Sequence, residues 1–225
     1  SLNDLYFQPG GNPDLKNENG WSGDIGLEAS ATSGKIKWDG GITWFDSRID
    51  NWILWLPTIK GFFSPRNVKA VHSYGVELKA GAKLSPFREA ALSLRGTFSL
   101  TRSVNVSPAL NEYDTSVGKQ LPYVPEFTSS LTAILTWRKW AASYKLCYYS
   151  KRYTMSSNED AISGSLPYYI MSNIDLERKL SFHSADISLK LSINNLFNNT
   201  YQTIMGRPMP GLNFELFLSL TPKFL

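Results

Sequence analysis

The sequence predicts an all-β fold: an antiparallel transmembrane β-barrel of which nine strands are visible. Three observations predict it. Apolar and polar residues alternate over long stretches, connections between these stretches alternate short and long, and no segment shows the apolar repeat of a helix. The clearest stretch is residues 185–224. In its last strand Leu212, Phe214, Leu216, Leu218 and Leu220 share one face; Asn213, Glu215, Ser219 and Thr221 share the other, with Phe217 as an apolar intruder. The preceding strand sets Ala185, Ile187, Leu189, Leu191 and Ile193 against Asp186, Ser188, Lys190, Ser192 and Asn194. A half-buried soluble sheet also alternates. A sustained outer apolar row with a charged inner row fits a membrane barrel better.

Taken in order, the first strand covers about Trp21 to Ala31 and turns at Ser33-Gly34. The second starts at Lys35, alternates Ile36, Trp38, Ile42 and Trp44 with Lys37, Asp39 and Thr43, and is expected to continue towards Leu56. A longer segment follows. The third runs from about Lys69 to Leu84, with Glu77, Lys79 and Lys83 on its polar face, and turns at Ser85–Arg88. The fourth, Ala90 to Val106, opposes Leu92, Leu94, Phe98 and Leu100 to Ser93, Arg95, Thr97 and Thr101. After a long polar loop the fifth covers Glu126 to Trp137, and Arg138-Lys139 turns the chain. The sixth is expected over Ala141 to Thr154, carrying Lys145; a long loop leads to the seventh, Tyr168 to Leu180. Residues 181–184 form a short turn into the eighth, and GRPMPG lies in the last long loop.

Composition narrows the class. The chain has 225 residues, 42% hydrophobic and 19% charged, and a mean hydropathy of −0.22. No apolar run reaches the ~20 residues of a spanning helix, so a membrane location requires strands. Its 7 Trp, 11 Tyr and 12 Phe suit the aromatic girdles of a barrel, although an aromatic-rich soluble β protein shares them. A net charge of +4 without a basic run gives no case for nucleic acid. Cys147 is alone, so it reads as a packed side chain. Short turns at one end and long loops at the other are the habit of outer-membrane barrels, whose strands need ~9–11 residues. Such single-chain barrels have even strand numbers. Nine strands therefore imply the C-terminal part of a longer barrel, with the rest upstream of Ser1.

Several segments carry a family resemblance. Gly11, Asn12, Pro13, Leu15, Lys16 and Glu18 precede the first strand; ITWFDSRIDNWILWLP follows. Tyr74-Gly75-Val76-Glu77 opens the third strand; Asn195, Leu196, Phe197, Asn198 and Tyr201 form an N-L-F-N-x-x-Y segment; RPMPGLNFELFLSLTPKF closes the chain. In order and spacing these resemble the late barrel of TonB-dependent outer-membrane receptors, over essentially the whole chain. Two departures stand out. Leu212 stands where the family usually has Arg, which implies a loosened loop contact, and Leu225 follows the terminal aromatic Phe224.

The resemblance implies a barrel of about 22 strands with a plugged lumen, of which residues 1–225 are the C-terminal segment. It implies active import of a vitamin B12-type corrinoid or an iron–siderophore. Implied partners are the remaining barrel and plug, the TonB energy-transducing complex, outer-membrane lipid and a surface lipoprotein. A passive porin or adhesin barrel, or a soluble β-rich binding module, are the rival readings. No enzyme chemistry, cofactor or metal is expected: His72 and His183 stand apart, and Asp175 and Glu177 read as lumen wall rather than an acid–base pair. Candidate cargo contacts are Trp52, Trp55, Phe62, Arg66, Tyr113, Arg152, Tyr153 and Arg207, since aromatic faces and forked cations hold bulky, charged ligands. For Trp52, Trp55 and Tyr153 the competing reading is an outer aromatic girdle; for Arg66 and Arg207 it is solvated loop charge. Lys37, Asp39, Glu77, Lys79, Lys83, Arg95 and Lys145 are expected to face the lumen and plug.

Overall fold

Alternation of side chains along each strand becomes one continuous meander in the computed structural model. The structure describes residues 1–223 apart from 59, 68–69, 110–111 and 161–162, and only the backbone at Leu56 and Pro57. The elements are α1 (Leu2–Tyr6), β1 (Asn19–Ser33), β2 (Ile36–Asp50), β3 (Ile53–Pro57), β4 (Phe63–Asn67), β5 (Val71–Leu84), β6 (Ala90–Asn105), β7 (Phe127–Trp137) and β8 (Trp140–Tyr149). They continue with β9 (Arg152–Tyr153), β10 (Ser165–Leu166), β11 (Tyr169–Ser181), β12 (Ala185–Asn194), β13 (Gln202–Ile204), β14 (Arg207–Pro208) and β15 (Asn213–Pro222). Nine long strands form one sheet in the order β1-β2-β5-β6-β7-β8-β11-β12-β15, every neighbour antiparallel. The six short strands pair among themselves as hairpins, β3 with β4, β9 with β10 and β13 with β14, in the long connections.

Register shows which side chains share a face, because directly paired residues point the same way. Leu27 pairs with Ile42, Ile42 with Leu78 and Leu78 with Phe98; at the other edge Leu176 pairs with Leu191 and Leu191 with Leu216. The apolar rows therefore run unbroken across neighbouring strands. They do not pack on a second layer: Leu27 is 75% and Leu216 70% exposed, and Ile42, Leu78, Leu131 and Leu176 are exposed too. A sandwich buries its apolar face against another sheet. Among the described residues this sheet has no such partner, which leaves lipid as the medium that suits the face.

Rings flank the apolar belt at both ends. Towards the long loops Phe98 meets Phe127 at 4.6 Å, Phe127 meets Tyr148 at 5.4 Å and Tyr148 stacks on Tyr168 at 5.9 Å. Towards the short turns Phe87 meets Trp137 at 6.4 Å, and Trp137 pairs with Trp140. Trp140 and Tyr148 share a face of β8. Eight residues apart, they span about 26 Å along the strand, or roughly 20 Å along the membrane normal at a barrel tilt of ~40°.

Three expectations needed correction. The second long strand does not reach Leu56: Asn51 adopts φ 57°, breaks the pairing, and β3 leaves to form its own hairpin with β4. The sixth long strand ends at Tyr149, and residues up to Thr154 enter the separate β9–β10 hairpin. A single helical turn, α1, exists where no helical repeat is readable; Ser1 and Asp4 cap it, and five residues are too few for a period to show. The expected start at Lys69, and the terminal pair Phe224 and Leu225, lie outside the described residues. Both sheet edges, β1 and β15, are exposed along nearly their whole length. Unpaired edges are not tolerated in lipid, so further strands must close this sheet.

Face assignment is tested by parity. Ile42→Lys, mid-strand on the apolar row, is expected to cost about 2–4 kcal/mol in a bilayer, whereas Thr43→Lys on the polar row is expected to stay within ~0.5 kcal/mol. Denaturant unfolding of the full-length protein in lipid vesicles measures both.

Candidate ligand rim and lumen wall

The polar rows form a wall of mixed charge on which some side chains form ion pairs. Lys79 bonds Glu28 from across β2, and Arg95 lies 3.8 Å from Asp39. Lys37 and Lys83 are direct cross-strand partners. Glu77 faces Thr43 and Ser99, and Lys145 faces Thr132 and Asn173. All seven expected lumen residues thus lie on this one face. Asp175 accepts from Ser143 at 2.9 Å and Ser192 at 2.5 Å and pairs with Lys190 at 3.1 Å; Ser188 donates to Glu177 at 2.7 Å. Both carboxylates are spent on the wall. Lys190 also sits 5.7 Å from the ring of Phe217, the apolar intruder of the last strand. Such a polar surface carrying both signs of charge can line a water-filled or plugged lumen, and its exposed pairs add little stability individually.

Above the wall, buried amides knot the rim. Asn195 is 1% exposed at φ 52°; its side chain donates to Asn199 O at 2.9 Å and Pro210 O at 3.2 Å and accepts from Asn199 N–H at 2.9 Å. Asn199 in turn donates to Ile170 O at 2.7 Å, and Asn198 accepts from Leu212 N–H at 2.9 Å. The N-L-F-N segment is therefore a backbone clasp, and asparagine suits it because its short amide tolerates φ > 0. The clasp also reaches Leu212 through its backbone, so Asn198 contacts the position where the family's usual Arg is absent. Gln120 does similar work: it accepts from Ser103 N–H at 2.9 Å, and its backbone N–H and C=O exchange bonds with Asn158 at 2.8 and 2.9 Å. That joins the loop after β6 to the loop after β9.

A tyrosine stack stands at this rim on the polar face. Tyr149 and Tyr169 stack at 4.8 Å, and Tyr169 and Tyr201 at 4.7 Å. Arg152 lies 4.8 Å from the Tyr169 ring, is 5% exposed, and donates to Gln202 O at 3.0 Å. Burial pushes its guanidinium below the usual arginine range, and Tyr169 and Tyr123 offset part of that. A cleft of about 220 Å³ is lined by the three tyrosines with Lys145, Asn173 and Thr203. Flat rings with one cation offer stacking and charge to a bulky, conjugated or anionic cargo.

The expected cargo residues scatter around this stack. Trp55 is turned to the N-terminal segment: its indole N–H donates to Asp4 at 2.9 Å and its ring meets Phe7 at 5.8 Å. Trp52 is half-buried between β2 and β3, Phe62 caps the tip of the β3–β4 hairpin by accepting from Thr58, and Arg66 is exposed on β4. Tyr113 is 81% exposed in the loop after β6. Tyr153 lies under the Lys151 ammonium at 4.7 Å, and Lys151 pairs with Asp160 at 2.8 Å, holding that carboxyl below the usual range. Arg207 is exposed on β14. Arg152 braces the tyrosines rather than presenting a free fork. The girdle rings belong to other residues, Phe98, Phe127, Tyr148, Tyr168, Phe87 and Trp137. Tyr149 and Tyr169 escaped the sequence reading, where their signal was an aromatic at a polar-row position beside a long loop; Tyr201 entered it only within the N-L-F-N-x-x-Y segment and not as a cargo residue. His72 lies 3.0 Å from Asp46, and no group of three metal-binding side chains gathers among the described residues.

Comparison with known proteins agrees with this fold. Residues 1–196 fit the family model "TonB dependent receptor-like, beta-barrel". The vitamin B12 transporter BtuB of Photobacterium profundum is 38% identical over 85 residues, 36% of this chain and 13% of that protein. Among solved structures, the copper transporter OprC aligns over 90% of this chain and 31% of its own at 15% identity, TM-score 0.62. The siderophore receptor PirA from Acinetobacter baumannii aligns over 95% and 33% at 15% identity, TM-score 0.59. The chain thus spans about an eighth of the curated relative and about a third of these structures.

Removing the clasp has a local readout. Asn195→Ala strands buried backbone groups, each worth about 1–3 kcal/mol. Hydrogen exchange of residues 195–212 is expected to accelerate at least roughly tenfold, with exchange in β5 and β6 unchanged.

Proposed function

Because the chain belongs to the TonB-dependent receptor family of outer-membrane β-barrels, we propose that it forms the C-terminal barrel wall of a receptor that actively imports a scarce, bulky nutrient. Members of this family are transport receptors that work with a plug domain and TonB. For the whole protein containing this chain, the cargo proposed is a vitamin B12-type corrinoid, with an iron–siderophore as the second reading. The carrying observation is the tyrosine stack at the loop end of a polar wall of mixed charge. The B12 transporter among its relatives supports the corrinoid; siderophore receptors among its structural neighbours support the fold alone.

In this reading, loops that are already knotted by Asn195 and Gln120 present a firm rim, and cargo settles against Tyr149, Tyr169 and Tyr201. Preorganised rings lose little entropy on binding. Exposed Tyr113, Arg66 and Arg207 meet the cargo first. Energy from TonB displaces the plug along the lumen wall, where Lys37, Asp39, Glu77, Lys79, Lys83, Arg95 and Lys145 exchange partners with plug and water. A wall of mixed charge suits that exchange because no single pair is strong.

Uptake of labelled cyanocobalamin and of a labelled ferric siderophore by cells carrying the full-length receptor tests the proposal. TonB-dependent uptake of one of them is expected; uptake that persists without TonB would mark a passive pore. Tyr201→Ala is expected to weaken cargo binding about 3–10-fold, the worth of one aromatic contact. Exchanging Lys79 and Arg95 for Gln is expected to slow uptake; unchanged uptake and plug docking would remove the proposed role of the wall.

A further inference from the structure

At the short-turn end, the apolar rows of the nine long strands hold a single charged residue among those described, Arg178. Its direct partners are Trp140 on β8 and Leu189 on β12, with Leu176 and Leu180 above and below on the same face. The guanidinium carbon lies 4.9 Å from the Trp140 ring, and no carboxylate pairs with it among the described residues. Trp140 pairs with Trp137, whose ring carries a second guanidinium, Arg138, at 5.3 Å. One face of the sheet thus presents an Arg–Trp–Trp–Arg array across three strands.

Its charge is positive. Glu89 accepts from Arg138 Nε at 3.0 Å and lies 3.9 Å from Arg88, and it is the one carboxylate paired with these arginines; Lys139, in the same turn, acts instead on Asp186, which Lys223 holds at 2.8 Å. Glu177 belongs to the polar face, where Ser188 and Lys179 engage it. The two short turns are held as a unit, for Arg138 N–H donates to Glu89 O at 3.1 Å and Lys179 N–H to Lys139 O at 2.9 Å. The cations therefore sit on a firm base, level with the lower aromatic girdle.

We propose that this array binds the phosphate of an anionic phospholipid in the periplasmic leaflet of the outer membrane. The short turns of such barrels face the periplasm, so the girdle at Trp137 and Trp140 lies at headgroup depth. A guanidinium laid on an indole keeps its edge donors free, and those donors match phosphate oxygens in a fork. Apolar neighbours Leu176, Leu180 and Leu189 suit the acyl chains below the headgroup. The surface is continuous with the lipid-facing belt, and its charge complements an anionic headgroup; a neutral or acidic partner has no comparable match. Basic pockets at a membrane face select anionic lipids on these terms.

The full-length receptor, folded in nanodiscs of phosphatidylethanolamine with cardiolipin, tests this by native mass spectrometry. Retained cardiolipin is expected on the wild type. Arg178→Gln is expected to lower retention about fivefold, the effect of one basic side chain near a lipid surface. Arg178→Lys is expected to fall between, keeping charge but losing the planar fork. Heat-modifiable migration verifies that each variant is a folded barrel; if Arg178→Gln fails that check, Arg138→Gln and Arg178→Lys carry the comparison. Equal retention by all folded variants overturns the proposal. So does complete displacement of cardiolipin by millimolar inorganic phosphate, which would mark a free-anion site. Cross-linking from position 178 to protein in place of lipid overturns it as well.

Discussion

Everything in this molecule depends on the pairing of backbone amides between neighbouring strands. In lipid, an unpaired N–H or C=O has no water to turn to, so the sheet must pair along its full length. Once the pairing is set, side chains have no choice of face: Leu27, Ile42 and Leu78 fall in one row because their backbones are opposite one another. A slip of one residue would put Lys79 and Arg95 into the belt and Leu78 and Leu94 into the wall. The cost of that inversion in a bilayer is what makes the register stable.

The same constraint separates the two kinds of connection. Short turns such as residues 34–35 and 138–139 only reverse the chain, and a residue with φ > 0 does so at Gly34 and Arg138. Long connections must satisfy their own backbone outside the ladder. Here they do so with two-stranded hairpins and with buried amides, Asn195 and Gln120, that replace ladder bonds one by one. A rim built in this way is firm, and it can hold three tyrosine rings in a stack without a hydrophobic core beneath them.

Much of the fold was legible because period-2 alternation is local. Ile36, Trp38, Ile42 and Trp44 announce a strand and its lipid-facing row without reference to any other part of the chain. That the seven residues expected to face the lumen share one polar face followed from the same parity. Strand ends were harder. The stretch after Asp50 continues to look like a strand, and it is one; but Asn51 at φ 57° sends it to pair with β4 rather than β1. Alternation says nothing about which neighbour a strand chooses. Trp55 and Arg152 misled for a related reason: an aromatic and a cation in a loop look available, yet one is bonded to Asp4 and the other is buried under backbone carbonyls.

The sequence by itself determined the strands, their two faces and the end at which the long loops gather, because each of these follows from the chemistry of residues near one another in the chain. Tertiary structure alone decided which rings meet. Tyr149, Tyr169 and Tyr201 come from two different long strands and a loop, and Trp140 finds Arg178 across a strand boundary. Those encounters depend on register and on loop closure between distant segments, and no local pattern of residues encodes them.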